Sequence, residues 1–159
     1  MSSPLSRREV SVSDADDLLF WRNDPSIMKF QRNRFPIDRE THLNWLLERI
    51  EMVPALPFII YESVFSDKVG AVRLDLRVDN EIELSIIVNP EFRGRGYGKQ
   101  ILLDFLTDLP AMNISQGIVA YIHFSNQHSL RLFQDVGFRC SGQREEDLLA
   151  YRYNPQETT

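Results

Sequence analysis

A short segment rich in glycine and arginine, residues 88–99, constrains the fold of this chain more than any other feature. It joins an apolar run typical of a buried strand to an amphipathic helical pattern, and Gly94, Gly96 and Gly98 stand at alternate positions within it. Glycine allows positive φ and close approach of the backbone to a ligand. The N–H groups at the start of a helix bind phosphate through hydrogen bonds and the helix dipole. The segment therefore predicts a phosphate-binding loop.

The charges and the spacing within this loop narrow the kind of phosphate site. Arg93, Arg95 and Lys99 place positive charge at the loop of a chain whose net charge is −5. A P-loop requires Ser or Thr after Gly-Lys, but Gln100 follows Lys99 here. The dinucleotide fingerprint G-x-G-x-x-G also fails, because Lys99 stands where its last glycine belongs, counted from Gly94. Both of these nucleotide loops are excluded, while a turn that only caps the helix remains an alternative.

The acidic balance and the scarcity of cysteine exclude several classes of function. A net charge of −5 argues against general nucleic-acid binding, which needs a basic surface. Cys140 is the only cysteine, so no internal disulfide forms, and we expect it to pack within a strand. One cysteine and three scattered histidines, His42, His123 and His128, predict no metal site. Since no long apolar run or leader pattern is found, we expect no membrane partner and a cytoplasmic protein.

Hydrophobic periodicity predicts an α+β domain with a mixed sheet and the element order β-α-α-β-β-β-α-β-α-β-β. Strands are predicted at residues 8–12, 58–61, 68–76, 81–88, 117–122, 138–142 and 148–153. Helices are predicted from Ala15 to about Asn23, after a cap near Asp38, between residue 98 and Pro110, and at residues 127–136. A capping box of Ser13 and Asp16 is expected at the first helix. We expect a single domain, residues 1–159, with an ordered core at residues 8–154.

Two motifs carry a resemblance to a known family. Arg93-x-x-Gly96-x-Gly98 resembles the acetyl-coenzyme A (acetyl-CoA) pyrophosphate loop of the GNAT N-acetyltransferases. Residues 126–138, which begin with Asn126 and end in Gly137-Phe138, are similar to the second motif of that family. The resemblance implies the GNAT fold, with a mostly antiparallel sheet flanked by helices and a V-shaped split between strands four and five. Acetyl-CoA would lie in that split and donate its acetyl group to an amine.

The resemblance also implies which residues hold the cofactor. The backbone of residues 86–88 would pair with the pantetheine arm, and the side chain of Asn126 would hold it from the fifth strand. Asn126 can serve at the same time as a helix N-cap. The implied cofactor-binding residues are Ile86, Ile87, Val88, Arg93, Gly94, Arg95, Gly96, Tyr97, Gly98, Lys99, Asn126, Ser129 and Phe133.

The candidate general base lies on the fourth strand. Glu81, Glu83 and Ser85 alternate with Ile82 and its apolar neighbours, so the acidic residues share one face. A carboxylate on a central strand is costly unless it faces a wet cleft. By resemblance Glu83 is the base, and a bulge in the strand would bring Glu81 into its place. A solvated sheet face is the alternative for both.

The candidate general acid departs from the family pattern. Phe133 stands where many GNAT enzymes carry the tyrosine that protonates the leaving thiolate. Either no acid is used, or Ser129, His128 or Tyr121 replaces it. We therefore count Ser129 among the catalytic candidates, together with the two glutamates.

The N-terminal third predicts the acceptor. Residues 21–25 (W-R-N-D-P) and 40–45 (E-x-H-x-x-W) are similar to amino-sugar-nucleotide N-acetyltransferases of pseudaminic acid synthesis. The resemblance implies a UDP-linked 4-amino sugar, bound by Arg22, Asn23, His42 and Trp45. A basic cluster at Lys29, Arg32 and Arg34 is expected to help recruit the phosphates.

Other acceptors and another class of function remain open. The alternatives are a protein N-terminal acetyltransferase of the ribosomal-protein type, a small-amine acetyltransferase, and a module that binds acetyl-CoA without catalysis. We expect a monomer or a homodimer, and no nucleic-acid partner.

Overall fold

The computed structural model describes residues 3–53 and 55–157, and within them the strands form one seven-stranded sheet. The strands are β1 (Ser6–Glu9), β2 (Phe58–Glu62), β3 (Lys68–Leu76), β4 (Ile82–Val88), β5 (Ile118–His123), β6 (Arg139–Glu145) and β7 (Leu148–Tyr153). The helices are α1 (Ala15–Arg22), α2 (Pro25–Met28), α3 (Arg39–Glu51), α4 (Tyr97–Thr107) and α5 (Gln127–Asp135).

The sheet has the strand order β1-β2-β3-β4-β5-β7-β6. Neighbouring strands are antiparallel, except that β4 and β5 run parallel. A mixed, mostly antiparallel sheet with flanking helices is the predicted GNAT architecture, and the fold-class prediction is confirmed. Within the described residues, no helix is both long and apolar enough to cross a bilayer.

The predicted element bounds agree best where the hydrophobic pattern is strongest. β3 and β7 have the predicted bounds, whereas β1 begins at Ser6 and ends at Glu9 instead of covering residues 8–12. β1 ends early because the chain turns into a short 3-10 helix at Val12–Asp14. The predicted strand at residues 138–142 extends to Glu145, because it pairs with β7 on both sides of an irregular stretch.

The start of α1 corrects the predicted capping box of Ser13 and Asp16. The backbone N–H of Ser11 donates to the carboxylate of Asp14 at 2.8 Å, so the box lies two residues earlier. Asp14 is fully buried and also binds Arg8 and Lys68, at 2.8 Å and 2.9 Å. Burial opposes ionisation, but the hydrogen bonds from these two cations outweigh it and lower the pKa of Asp14. This carboxylate therefore ties the start of α1 to β1 and β3.

The segment after α1 contains a helix that the sequence analysis missed. The first helix was predicted to end at about Asn23, and α1 does end at Arg22. Asp24 then caps a second short helix, α2, by accepting a hydrogen bond from the N–H of Ser26 at 2.9 Å. Proline at the first helical position lacks only an N–H that would have no partner there, so it starts α2 as readily as it ends α1.

Each face of the sheet carries its own apolar core. Leu84 of β4 packs toward α4 and α5, where Phe105 and Phe138 are fully buried. On the other face Leu18 of α1 and Leu46 of α3 pack against the sheet. This arrangement confirms the predicted alternation in β4, because Ile82, Leu84 and Ile86 belong to the first core and Ile87 to the second.

Cys140 differs from its expected environment. It lies on β6, an edge strand that pairs only with β7, and it is exposed. The prediction that it packs inside a strand was wrong, because nearly all of β6 faces solvent.

Candidate functional site

A cleft opens where β4 and β5 part. These strands pair only at Ile82 with Ile118 and at Glu83 with Val119, and they diverge beyond that point. The divergence is the predicted V-shaped split, and it leaves a cleft of about 470 Å³ that α1, α3 and the loop between α2 and α3 close on the far side. The strand residues that line the cleft beyond the last pair are Leu84, Ser85, Ile86, Ile87, Ala120, Tyr121, Ile122 and His123.

The glycines of the loop after β4 serve two different purposes. Gly94 and Gly96 have φ values of 74° and 79°, and a Cβ added to either would meet no atom within 4 Å. Backbone conformation therefore requires glycine at both positions, and the chain there is open to an approaching ligand. Gly98 instead faces α5, because a Cβ there would lie 3.1 Å from the side chain of Leu132. Close packing of α4 against α5 requires that third glycine.

The loop presents both N–H groups and cations to solvent. α4 begins at Tyr97, so the N–H groups of its first turn have no acceptor within the helix. Arg93, Arg95 and Lys99 are all exposed. The ring of Phe92 packs against Tyr97 at 5.8 Å and lies 5.2 Å from the guanidinium of Arg95. The aromatic pair thus supports the loop from within, while its charges remain available to an anion.

The wall formed by α5 brings three predicted cofactor residues together. Asn126, Ser129 and Phe133 all line the cleft. The Oδ1 of Asn126 accepts a hydrogen bond from the N–H of Ser129 at 3.2 Å, so Asn126 is the N-cap of α5. The cap uses only Oδ1, which leaves Nδ2 for a ligand. Phe133 is 4% exposed, and its ring meets Phe138 edge-on at 4.9 Å.

The structure separates the three groups that could replace a tyrosine at position 133. Ser129 and Tyr121 line the cleft, whereas His128 is exposed and lies outside its lining. Burial raises the pKa of Tyr121, so the phenol stays protonated at neutral pH. Its ring lies 5.0 Å and 4.5 Å from the guanidiniums of Arg32 and Arg77.

Glu83 lies in the cleft, held by two arginines. Its side chain is about one-tenth exposed. Oε1 accepts hydrogen bonds from Arg32 at 2.6 Å and from Arg77 at 2.9 Å, and Oε2 accepts a second one from Arg32 at 3.1 Å. Both arginines also bind Glu145 of the β6–β7 hairpin. Oε1 therefore accepts two hydrogen bonds and Oε2 accepts one, so a lone pair of Oε2 remains for a further partner.

Glu81 lies outside the cleft. Its carboxylate pairs with Arg152 of β7, and the residue is absent from the lining of the cleft. The pairing of β4 with β3 runs without a break from Ile82 to Val88. β4 therefore has no bulge against β3 that would exchange Glu81 for Glu83.

The four predicted acceptor residues lie in two different environments. Arg22 lines the cleft, and one of its terminal nitrogens donates to the carbonyl of Asn33. Asn23 instead faces the loop between α2 and α3, where its amide donates to the carbonyl of Ile37 at 2.8 Å and accepts from its N–H at 2.9 Å. Asn23 is absent from the lining of the cleft. Its two hydrogen bonds fix the course of the loop that forms the cleft wall.

His42 and Trp45 lie one turn apart on α3 and both line the cleft. Their rings are 5.5 Å apart. Trp45 also packs against Phe58 at 6.0 Å and lies 5.1 Å from the guanidinium of Arg73. His42 is 5% exposed, and burial lowers its pKa, so the ring is neutral at pH 7. Together they form a partly aromatic wall opposite β4.

The expected basic cluster at Lys29, Arg32 and Arg34 is largely neutralised. Arg32 binds Glu83, and Arg34 binds Asp147 at 2.8 Å. These pairs fasten the loop between α2 and α3 to β4 and to the β6–β7 hairpin. The cluster therefore closes the cleft more than it offers free charge.

The sequence analysis missed Arg73 and Arg77, which approach the cleft from β3 and the turn that follows it. Arg73 lines the cleft, and it lies opposite Ser85 in the pairing of β3 with β4. A signal was available, because Arg73 and Asp75 alternate with apolar residues in β3 as Glu83 and Ser85 do in β4. Polar residues at alternate positions of two adjacent strands indicate a shared wet face.

The chain matches the model of a known protein family and is similar in sequence to known proteins. The acetyltransferase (GNAT) domain family matches residues 5–139. An uncharacterized protein of Methanocaldococcus jannaschii is 26% identical over 150 residues, which are 92% of this chain and 30% of that protein. The chain thus spans less than a third of the length of this relative.

Solved structures share the fold over almost the whole chain. The acetyltransferase yncA of Salmonella typhimurium, solved with its cofactor acetyl-CoA, has a TM-score of 0.80 at 20% identity, covering 99% of this chain and 97% of its own. The spermidine N-acetyltransferase of Vibrio cholerae, in complex with CoA and spermine, has a TM-score of 0.82 at 17% identity, covering 96% of each chain. At such identities the similarity establishes a common fold.

Proposed function

Because the chain belongs to the acetyltransferase (GNAT) family, we propose that it is an acetyl-CoA-dependent N-acetyltransferase that acetylates a primary amine on a small molecule held in the cleft. The acceptor best matched to the sequence is a nucleotide-linked 4-amino sugar. The amine attacks the thioester directly, without an acyl-enzyme intermediate.

The open edge of β4 is the observation that carries this proposal. Beyond Glu83, β4 has β3 on one side and the cleft on the other. An extended chain with amide groups, such as the pantetheine arm, can hydrogen-bond to such an edge as another strand would. Residues 86–88 supply those backbone groups, and the N–H of Ile87 or Val88 would polarise the thioester carbonyl. A fixed N–H donor stabilises the oxyanion that forms there.

The loop after β4 suits the pyrophosphate at the other end of the cofactor. Open backbone at Gly94 and Gly96 and the first turn of α4 supply N–H donors. Arg93, Arg95 and Lys99 supply the compensating charge. Anions favour this position because the N-terminus of a helix carries a partial positive charge.

The chemistry needs one base and only modest acid help. The neutral amine nitrogen forms a bond to the thioester carbon, the C–S bond breaks, and the thiolate leaves with coenzyme A. A thiol has a pKa of about 8.5, so the thiolate is a tolerable leaving group without a strong acid. The hydroxyl of Ser129 or Tyr121 can donate the proton that Phe133 cannot. Glu83 takes the proton that the amine loses.

Movement of Arg32 would expose the carboxylate of Glu83 to the acceptor. The acceptor amine arrives at neutral pH mostly as an ammonium ion, which can replace the Arg32 guanidinium on the carboxylate. Arg77 continues to hold Oε1 and keeps the carboxylate oriented. The acceptor thus exchanges one cation for another at Glu83, which limits the electrostatic cost of its entry.

The resemblance of residues 21–25 and 40–45 to sugar-nucleotide enzymes favours the proposed acceptor. Arg22, His42 and Trp45 line the cleft opposite β4, as a phosphate ligand and its aromatic support would require. Asn23 enters the proposal only indirectly, because its amide fixes the loop that holds Arg32.

Release of free coenzyme A over a panel of amines tests the proposal. The panel holds a UDP-linked 4-amino sugar, the same amino sugar without UDP, spermidine and an N-terminal peptide. We expect the highest kcat/KM with the UDP-linked sugar. If the UDP group does not raise kcat/KM, we would instead infer that the protein is a small-amine or peptide acetyltransferase. Thermal stabilisation by acetyl-CoA with no thiol release from any amine would indicate a binding module.

A further inference from the structure

Three arginines lie near one another at the cleft: Arg22 and Arg73, which line it, and Arg49 beside Arg73. Arg49 and Arg73 both bind the single carboxylate of Asp75, at 2.8 Å and 2.7 Å. Arg22, which lines the cleft near Arg73, has the carbonyl of Asn33 as its partner and forms no ion pair within the described residues. Two guanidiniums therefore share one carboxylate and a third has none, in a chain whose net charge is −5.

Two polar atoms in this corner are buried without a hydrogen-bond partner. One is the terminal nitrogen Nη1 of Arg22, and the other is Nε2 of His42. The side chains of both residues line the cleft. A buried polar atom without a partner costs about 1–3 kcal/mol, so such atoms generally mark a site that a ligand or water completes.

The two buried atoms without partners differ in the hydrogen-bonding groups that they can bind. The Arg22 guanidinium can only donate, and it pairs with carboxylate or phosphate oxygens. Burial lowers the pKa of His42, while the backbone of Ala15 opposes that shift. When the neutral ring carries its proton on Nδ1, Nε2 presents a lone pair that accepts a hydrogen bond from a hydroxyl or N–H group.

Arg73 completes the anion-binding side of this corner. Only its Nε donates to a carboxylate, that of Asp75. Its guanidinium lies over the ring of Trp45, 5.1 Å from the ring centroid. Burial and the neighbouring Arg73 charge lower the pKa of Arg22, so the two guanidiniums lie close enough to repel each other. An anion placed between them removes that repulsion.

We propose that Arg22, Arg73 and His42 form an acceptor subsite for an anionic group, a carboxylate or phosphate, that carries a hydroxyl or N–H donor nearby. The inference rests on the proposed function, because it assigns the far end of a molecule whose amine lies at Glu83. It goes beyond that function by selecting against polyamines, which bring only positive charge to this corner. The loop at Gly94 and Gly96 binds its own anion and is distinct from this subsite.

Matched acceptors test the subsite in turnover. Each pair has the same amine with and without the anion: β-alanine with β-alaninamide, and glucosamine 6-phosphate with glucosamine. The UDP-linked 4-amino sugar and its free sugar form a third pair. The carboxylate pair and the two phosphate pairs separate the two sources of negative charge. We expect the anionic member of at least one pair to have a kcat/KM at least tenfold higher.

Arg22→Gln and Arg73→Gln identify the residues responsible. Each should raise KM for the preferred anionic acceptor about tenfold or more, and should change KM for its neutral partner much less. Arg39→Gln is the matched control, because Arg39 is an exposed arginine on α3 that pairs with Asp16 outside the cleft. If Arg22→Gln does not fold, Arg73→Gln carries the test.

A binding measurement keeps the subsite separate from the reaction. With saturating coenzyme A in the cofactor site, UDP and inorganic phosphate are titrated while thermal stability is recorded. We expect one of them to raise the Tm of the wild-type and Arg39→Gln proteins and to have a much smaller effect on Arg73→Gln. Such binding without turnover of any amine would overturn the proposed function and leave the subsite standing. Equal turnover of both members of every pair, or binding that survives Arg73→Gln, would overturn the subsite.

Discussion

Backbone groups form one half of the cleft, and side chains form the other half. On the half that we propose holds acetyl-CoA, here called the cofactor half, the open edge of β4, the glycine-rich loop and the first turn of α4 present backbone groups from residues 86–100. On the acceptor half, side chains converge from α1, α3, β3 and the loop between α2 and α3. A binding site made of backbone groups can be kept by any sequence that adopts the same backbone conformation. A binding site made of side chains changes its specificity with each residue that is replaced. A shared cofactor site and a site for one particular acceptor can therefore occupy the same fold.

The largest expected effect falls where the halves meet, at Glu83. Glu83→Gln should lower kcat by roughly 10²–10⁴-fold near neutral pH, because loss of a general base has about that cost. The loss should shrink at high pH, where free amine is abundant. A pH profile of kcat measures it, and Glu81→Gln, which alters a carboxylate outside the cleft, is the control. An equal loss at every pH would make Glu83 a positioning residue.

The next largest effect is expected on stability, at Asp14, which ties α1 of the acceptor half to the sheet. Asp14→Asn removes the buried carboxylate that holds α1 to Arg8 and Lys68, and we expect the free energy of unfolding to fall by about 3 kcal/mol. Chemical denaturation measures it. Asp16→Asn, which alters an exposed carboxylate of the same helix turn, should change stability little.

The same carboxylate predicts the acid sensitivity of the wild-type protein. The pKa of Asp14 is lower in the folded state than in the unfolded chain, so the folded state binds this proton more weakly. Its contribution is complete above about pH 5 and is lost as the pH falls further. The Asp14→Asn protein should lack that part of the pH dependence. Parallel stability curves for the two proteins below pH 5 would contradict this assignment.

A backbone change should affect the cofactor half alone. Acetyl-CoA at 100 times its dissociation constant should stabilise the wild-type protein by about 2.7 kcal/mol. Gly96→Val should abolish that stabilisation, because the new side chain occupies the open face of the loop. Gly142→Val is the matched control, since Gly142 also has positive φ, 84°, with no atom near its Cβ, but lies in β6. A Tm shift that persists in Gly96→Val would place the phosphate site elsewhere.

A smaller effect is expected at the ion pair that closes the acceptor half. Arg32→Gln removes the cation with which the acceptor amine competes for Glu83, so KM for the amine should fall several-fold. Arg34→Gln breaks a pair with Asp147 on the same loop without touching Glu83, and it should leave that KM nearly unchanged. A rise in KM in Arg32→Gln would show that Arg32 binds the acceptor instead of yielding to it.

The smallest effect is expected at Phe133, on the cofactor half. Phe133→Tyr should fold and retain activity, because the ring borders the cleft and a hydroxyl there can reach solvent or ligand. Phe138→Tyr is the contrast, since Phe138 is fully buried and a hydroxyl there should cost about 1–3 kcal/mol. Steady-state kinetics and thermal melts compare the two. Severe loss of acetyl-CoA binding in Phe133→Tyr would show that the second motif has been misaligned.

The sequence determined the cofactor half because its signals are local. Positive φ at Gly94 and Gly96, the strand before them and the helix after them are all fixed by neighbouring residues. The order of the strands and of the longer helices, and the alternation in β4, follow from periodicity for the same reason. Local interactions also set the cap at Asn126, which the sequence predicted as one of two compatible roles.

Only the tertiary structure decided the acceptor half. Arg32 and Glu83 are 51 residues apart, and Arg22 and Arg73 are as distant in the chain, yet each pair converges at the cleft. The partner that a charged side chain finds depends on which elements pack together, and no local pattern encodes it. The sequence therefore marked Lys29, Arg32 and Arg34 as a free basic cluster, whereas packing neutralised two of them and left the surplus charge with Arg22 and Arg73.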